Sequence, residues 1–401
     1  MPVKTAPLPT GPLTGLRVLD LSRILAGPTC TQLLGDYGAE IIKIERPGQG
    51  DDTRGWGPPY LRDDGGRETN EAGYYLSSNR NKRSVALDIS TAEGQRDVRA
   101  LLATCDILLE NFKAGGLAKY GLSYDDLRVE FPALIYCSIT GFGQTGPNAS
   151  RPGYDLLAQA AGGLMALTGE PDGEPMKVGT GIADIMCGMY ASTAILAALH
   201  HRTRTGEGQC IDIALLDTQI AWLTNQGVNY LVDGKNPARL GNQHPNIVPY
   251  QVFETSDGHM VIAVGNDAQF ARFCMLLGLD SLPDDPRFTT NIARIANKDT
   301  LIALLIPAIR RFRRNDLMAA MDKASVPGGP INSVPEVFAS EQVSARGMRI
   351  HMDHPCTEKG VDLIGNPVKF SKTPVTYRRA PPTCGQHTAE VLASLKTQGK
   401  T

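Results

Sequence analysis

Short apolar runs alternate with helical segments through the first half of this chain, and that alternation most constrains its fold. "LRVLDLS" (16–22) is an apolar run ending in Asp and Ser, as a buried parallel strand would. "AGPTCTQLLGDYGA" (26–39) follows with helical spacing, and "EIIKIERP" (40–47) is a second strand. A strand, a short crossover helix and a strand make one right-handed βαβ unit. The pattern recurs in "RSVALDI", "TAEGQRDVRALLATC", "DILLENF", "SYDDLRVEFP", "ALIYCSITGFG" and "QCIDIALLD". The expected fold is α/β: a Rossmann-like open parallel sheet forming a large domain, 1–220.

From about Ala221 the texture changes. "VPYQVFETSDGHMVIAV" reads as two short strands around a Ser-Asp-Gly turn, and helical segments follow. Residues 221–325 are therefore expected to form a smaller α+β domain. "VPGGPINSVPEVF" reads as a Pro/Gly linker, and 326–401 as linker and C-terminal segment returning to the large domain. A chain of 401 residues is too long for one simple core, which favours the same division.

Composition excludes several functions. The net charge of −2 gives no electrostatic reason to expect nucleic acid or an anionic membrane as partner. The longest apolar stretch, Ile185 to Leu199, falls short of the roughly 20 residues of a membrane span, and the start shows no signal-like apolar region. The eight cysteines form no Cys-x-x-Cys pair and read as reduced thiols, as in the cytoplasm or a mitochondrial matrix. The first βα turn, "LSRILAGPTC", lacks G-x-G-x-x-G, so a nicotinamide dinucleotide is not expected. No metal is expected either: "HMDH" (351–354) reads as a solvated charged loop.

Cations and amides cluster in loops around the strands. Arg46 and Arg54 lie in "ERPGQGDDTRGWGPP", Arg80, Lys82 and Arg83 in "SSNRNKRS", and Asn111, Phe112 and Lys119 in "ENFKAGGLAKYGL". Singly, each suits a solvated charge. Together, beside an aromatic at strand C-termini, they suit an adenine nucleotide with several phosphates. Asp184, in "GTGIADIMCGMY", opens a long apolar helix. The helix dipole stabilises an acid there, which is reason enough for its presence. The same setting would keep it ionised and able to attack a thioester. The spacing permits either role.

The chain resembles the family III CoA-transferases, the group with formyl-CoA and carnitine CoA-transferases and, more distantly, α-methylacyl-CoA racemase. The likeness runs from Leu13 to about Leu395 through "VLDLSRILAGP", "GAEIIKIERPGQGDDTR", "NRNKRSVALDI", "ENFKAGGLAKYGL", "YCSITGFGQTGP", "GYDLLAQAAGGLM", "TGEGQCIDIALLD" and "GQHTAEVL". "GDDTRGWGPPY", "HPNIVPYQVF" and "VPGGPIN" look like the succinyl-CoA:glutarate branch, which moves CoA between dicarboxylic acids. The resemblance implies Asp184 as the catalytic aspartate, carrying anhydride and aspartyl-CoA thioester intermediates. It places Arg46, Asn111, Phe112 and Lys119 on CoA, and implies an interlocked homodimer with CoA esters as substrates and no tightly bound cofactor. Arg23, His244 and Asn246 are candidates to hold the substrate's far carboxylate.

Two other activities occur among such proteins: α-methylacyl-CoA racemisation, and hydration or dehydration with partner subunits. Racemases carry a His in the motif matching "GYD" (153–155), where this chain has Tyr154. A phenol with a pKa of about 10 is a poor general base, so acyl transfer is favoured. Leu25 and Thr140 stand where formyl-CoA transferase has a glutamine and a lysine, and its tetraglycine loop has no counterpart. Backbone N–H groups at the start of the Asp184 helix are the expected oxyanion donors.

Overall fold

A computed structural model describes residues 11–398; the start of the chain, where the absence of a signal segment was read, lies outside them. Six parallel strands form the main sheet: β1 (Arg17–Asp20), β2 (Glu40–Glu45), β3 (Lys82–Ala86), β4 (Ile107–Glu110), β5 (Ile135–Thr140) and β6 (Gln209–Ala214). Their spatial order is β3-β2-β1-β4-β5-β6, each pair in parallel register. This is the doubly wound order, with its switch point between β1 and β4. β1, β4 and β5 are buried on both faces, which is why they read as continuous apolar runs rather than alternating ones.

Helix α1 (Ala26–Asp36) follows β1, α2 (Ala92–Leu102) follows β3, and α3 (Ile182–Thr205) precedes β6. Helix α3 buries Ala183, Cys187, Ala191, Ile195, Ala198 and Leu199 in one core, with Cys30 and Leu34 of α1. It is longer than its apolar run suggested, and is the one helix among the described residues long and apolar enough to cross a membrane. Its small residues set how closely it packs. A Cβ at Gly188 would meet the Ala26 carbonyl oxygen at 2.5 Å, so the two backbones nearly touch there.

The chain forms two compact units. The first takes the described residues through Met165, with Lys177–Lys235 and Gln342 onward. The second takes Ala166–Met176 and Asn236–Glu341. In the second unit β7 (Tyr250–Thr255) and β8 (Gly258–Ala263) form the expected hairpin. The segment read as a Pro/Gly linker supplies a third strand, β9 (Gly328–Pro330), paired antiparallel with β8. Glycines suited to a linker also suit a short strand in close contact: a Cβ at Gly328 would lie 2.4 Å from Met321 Cε.

"HMDH" is likewise not a loop. It lies in β10 (Arg349–His354), paired antiparallel with β11 (Thr357–Ile364) in the first unit. His351 Nδ1 sits 2.9 Å from Asp362, and His354 is buried, with its pKa lowered by that burial. No cluster among the described residues has the make-up of a metal site.

Candidate active site

The site develops where the sheet reverses its winding. The loop leaving β1 (residues 21–25) and the loop leaving β4 (from Asn111) meet there. The Asn111 side chain spans them, accepting from the Arg23 N–H at 2.9 Å and donating to the Arg23 carbonyl at 2.7 Å. From β2, Lys43 Nζ donates to the Ser22 carbonyl at 2.8 Å and to Asp51 at 2.9 Å. The Asp51 carboxylate accepts the Ile24 N–H at 3.2 Å and caps the following turn through Thr53 N–H. Lys43 and Asp51 are fully buried as a charged pair; Asp51 is held down at about 2 despite burial, by Lys43 and its hydrogen bonds.

Two adjoining cavities open along this seam. One, of about 320 Å³, is lined by Leu21, Ile44, Leu87, Ile89, Phe112 and the exposed Arg46. An apolar slot with a cation at its rim suits a purine ring bearing phosphate. The other, of about 370 Å³, contains Asn111, Phe112, Lys113, Lys119, Arg151, Tyr154 and Asp184. Arg23, Phe112 and Tyr120 line both, with the Arg23 guanidinium 6.0 Å above the Phe112 ring and 2.7 Å from Asp52.

Asp184 and four of its expected companions (Arg23, Asn111, Phe112 and Lys119) therefore share one cavity, with Arg46 in its neighbour. His244 and Asn246 line neither cavity. They belong to the second unit, where His244 Nδ1 accepts the Asn246 N–H at 3.1 Å and its ring lies 5.0 Å from that of Tyr250. Asn111 has both amide atoms engaged by Arg23, so in this geometry its side chain builds the loop.

Several expected cations are structural instead. Arg54 is buried between Glu45 and Glu71, Arg80 pairs with Asp36, and Arg83 with Glu40 and Glu390. Lys82 is buried against Asp20, and desolvation lowers its pKa to about 8. These residues surround β3 and the sheet's buried edges, where a lone charge would be costly and a partner is therefore supplied.

Asp184 sits in the first turn of α3 and is 8% exposed. The helix start was expected to hold it charged; the opposite shift is found. Burial, and then the nearby Asp155 carboxylate, raise its pKa to about 7. Asp155 also takes the helix-start donors, accepting the Ala183 N–H at 2.8 Å and the Asp184 N–H at 3.2 Å. The Ile182 and Ile185 N–H groups go to the Thr180 and Gly181 carbonyls. Hence the α3 start offers no free donor in its first four residues, contrary to the oxyanion role expected of it. Asp155 is not among the expected site residues, although it closes the "GYD" motif beside Tyr154.

In this doubly wound sheet a buried carboxylate thus lines a cavity that adjoins an apolar, cation-rimmed slot. Residues 13–388 match the sequence model of CoA-transferase family III, and the chain belongs to that family. It is 51% identical over 392 residues to the succinate–glutarate CoA-transferase of Agrobacterium fabrum, covering 97% of each chain. It is 43% identical to the human succinyl-CoA:glutarate CoA-transferase, over 96% of this chain and 86% of that one. Among solved structures, a CaiB/BaiF family protein from Brucella suis matches with a TM-score of 0.87 at 49% identity, covering 96% of this chain and all of that one. The protein is a family III CoA-transferase acting on CoA esters.

Proposed function

We propose that the protein moves CoA from succinyl-CoA to a second dicarboxylic acid, such as glutarate or itaconate, with Asp184 as nucleophile. The observation that carries this reading is Asp184 itself. It is a buried carboxylate with no side-chain hydrogen bond among the described residues, facing a cavity that adjoins an apolar, cation-rimmed slot. Asp184 attacks the thioester carbonyl and expels CoA thiolate, leaving a mixed anhydride. The thiolate attacks the aspartyl carbonyl, releasing succinate and forming the aspartyl-CoA thioester. The acceptor carboxylate displaces the thiolate to give a new anhydride. The thiolate then attacks the acceptor's acyl carbon, which frees the product and restores Asp184. Each step exchanges one acyl bond for another, with no net proton change, so the thioester's energy passes to the product.

Arg46, Phe112 and Lys119 are proposed to hold CoA, with Asn111 supporting them through the Arg23 loop. Arg23 is proposed for the far carboxylate, and Lys113 and Arg151 add two more cations to the same cavity as Arg23. The cation count supports a doubly charged acid over a monocarboxylate. Incubation with succinyl-CoA, digestion and mass spectrometry should find CoA on the peptide bearing Asp184. An adduct on any other residue, with none at Asp184, would remove the mechanism. A panel of acceptor acids then ranks the substrates.

We also propose the interlocked homodimer. Supporting it, the first unit leaves Met189, Tyr190, Ile220, Val228, Leu231 and Val232 exposed, the last two at 80%. Apolar surface on that scale is typical of an interaction face. Light scattering should give twice the 43.1 kDa chain mass; a monomer at micromolar concentration would refute the assembly.

A further inference from the structure

The loop from β1 to α1 is held by neighbouring side chains at one backbone group after another. Ser22 is gripped through its carbonyl by Lys43, Arg23 through both its N–H and carbonyl by Asn111, and Ile24 through its N–H by Asp51. At the centre Ile24 has φ = +73°. A β-branched residue is a genuine outlier in the left-handed region, because its Cβ crowds its own backbone. Such strain persists where the surroundings over-determine it, and it concentrates at functional sites.

What the loop holds is the start of α1. The N–H groups of Leu25, Ala26 and Gly27 have no acceptor among the described residues, Pro28 has none to offer, and Thr29 makes the first helical bond, to the Leu25 carbonyl. This turn lies against the face of α3 that bears Asp184. A Cβ at Gly181 would meet Leu25 Cδ2 at 2.9 Å, and one at Gly188 the Ala26 carbonyl oxygen at 2.5 Å. Asp184 falls between them, four residues from Gly188 and so on the same helix face. Leu25, Ala26 and Asp184 line one cavity. The donors missing from the start of α3 are thus present, unused, beside it.

We propose that Ile24 is a positioning residue. Its left-handed backbone, clamped by Asp51 and Lys43, aims the Leu25 and Ala26 N–H groups at the acyl oxygen that becomes negative during attack at Asp184. The inference rests on Asp184 being the nucleophile. Donors fixed in advance in a dry cavity stabilise such an oxygen without reorganising at the moment of reaction. The side chain at position 24 matters less than the backbone conformation it is made to adopt.

Substitution at this position separates the two. Ile24→Pro fixes φ near −65° and removes the N–H, so kcat with succinyl-CoA should fall about 100-fold while KM stays within about threefold. Ile24→Asn, which tolerates the left-handed region, should keep at least about tenfold more kcat than Ile24→Pro. A second route leaves position 24 natural at first: Asp51→Ala should lower kcat, and adding Ile24→Asn should restore at least about tenfold. Circular dichroism identifies any variant that has not folded, and the other route then decides. Near-normal kcat in folded Ile24→Pro, or failure of Asn to recover kcat in either setting, would overturn the proposal. Asp184→Asn is assayed alongside. If it still transfers CoA, the nucleophile reading falls; if the Asp184 adduct forms while Ile24→Pro turns over normally, only the role of Ile24 falls.

Discussion

Asp184→Asn is expected to lose CoA transfer by about four orders of magnitude or more, while making the protein more stable at neutral pH. The two effects share one cause. The Asp184 pKa rises from an ordinary 3.8 to about 7 through burial and the Asp155 charge. Between those values the native state holds a proton that the unfolded chain has released. Stability therefore falls as pH rises from about 4 to 7, and the cost is fully present above 7. An uncharged amide of the same shape escapes that cost, on the order of 2–4 kcal/mol. Denaturant melts at pH 7.5 and pH 4.5 check the sign: the advantage of Asn should be large at the first and shrink to about a quarter of that at the second. The wild-type rate should rise with pH through about 7, as the fraction of ionised nucleophile grows. A variant that keeps its activity, or is less stable at pH 7.5, contradicts this account.

The largest stability loss is expected at Arg54, whose contacts are buried on every side. It bonds Glu45 through two nitrogens at 2.8 Å, and Glu71 at 2.6 Å. It also donates to the Pro382 carbonyl at 2.9 Å and stacks 3.6 Å from the centre of the Tyr75 ring. Even so, burial pushes Glu71 up to about 7. Arg54→Met removes the cation and strands two carboxylates, which should cost about 3–5 kcal/mol. Pairing it with Glu71→Gln should recover part of that loss, since one stranded charge is gone. Urea melts of the three proteins measure both figures. A loss below about 1 kcal/mol for Arg54→Met would show that water reaches these carboxylates.

The sheet was legible because its signal is local. Strands such as "ILLE" at β4 are buried on both faces, and the crossover lengths leave little choice of winding. The strand at Gly328–Pro330 was not, because glycine and proline describe turns and only its neighbour β8 makes it a strand. The proposed site residues Asp184, Arg46, Phe112 and Lys119 come from motif and likeness, and the structure gathers them along two adjoining cavities. Arg54, Arg80 and Lys82 looked like ligands for the same reason that they are not. A sequence shows a charge but not the carboxylate opposite it, and here those partners, Glu45, Asp36 and Asp20, lie 9 to 62 positions away. The direction of the Asp184 shift was hidden likewise. The helix start is visible in sequence, whereas the depth of burial and the presence of Asp155 are tertiary facts.

The Arg54–Pro382 contact belongs to a wider set of bonds. Asn81 Nδ2 donates to the Thr376 carbonyl and its Oδ1 accepts from Arg378 N–H, while Asn366 donates to Asp36. On the ribosome these partners are made far apart in time. Chain growth at roughly 5–20 residues per second puts about 15–60 s between Asn81 and Arg378. Throughout that interval the emerging sheet holds polar groups whose hydrogen-bond partners do not yet exist. The first unit is thus a vectorial problem, completed only when its last-made segment threads back onto strands exposed since early synthesis.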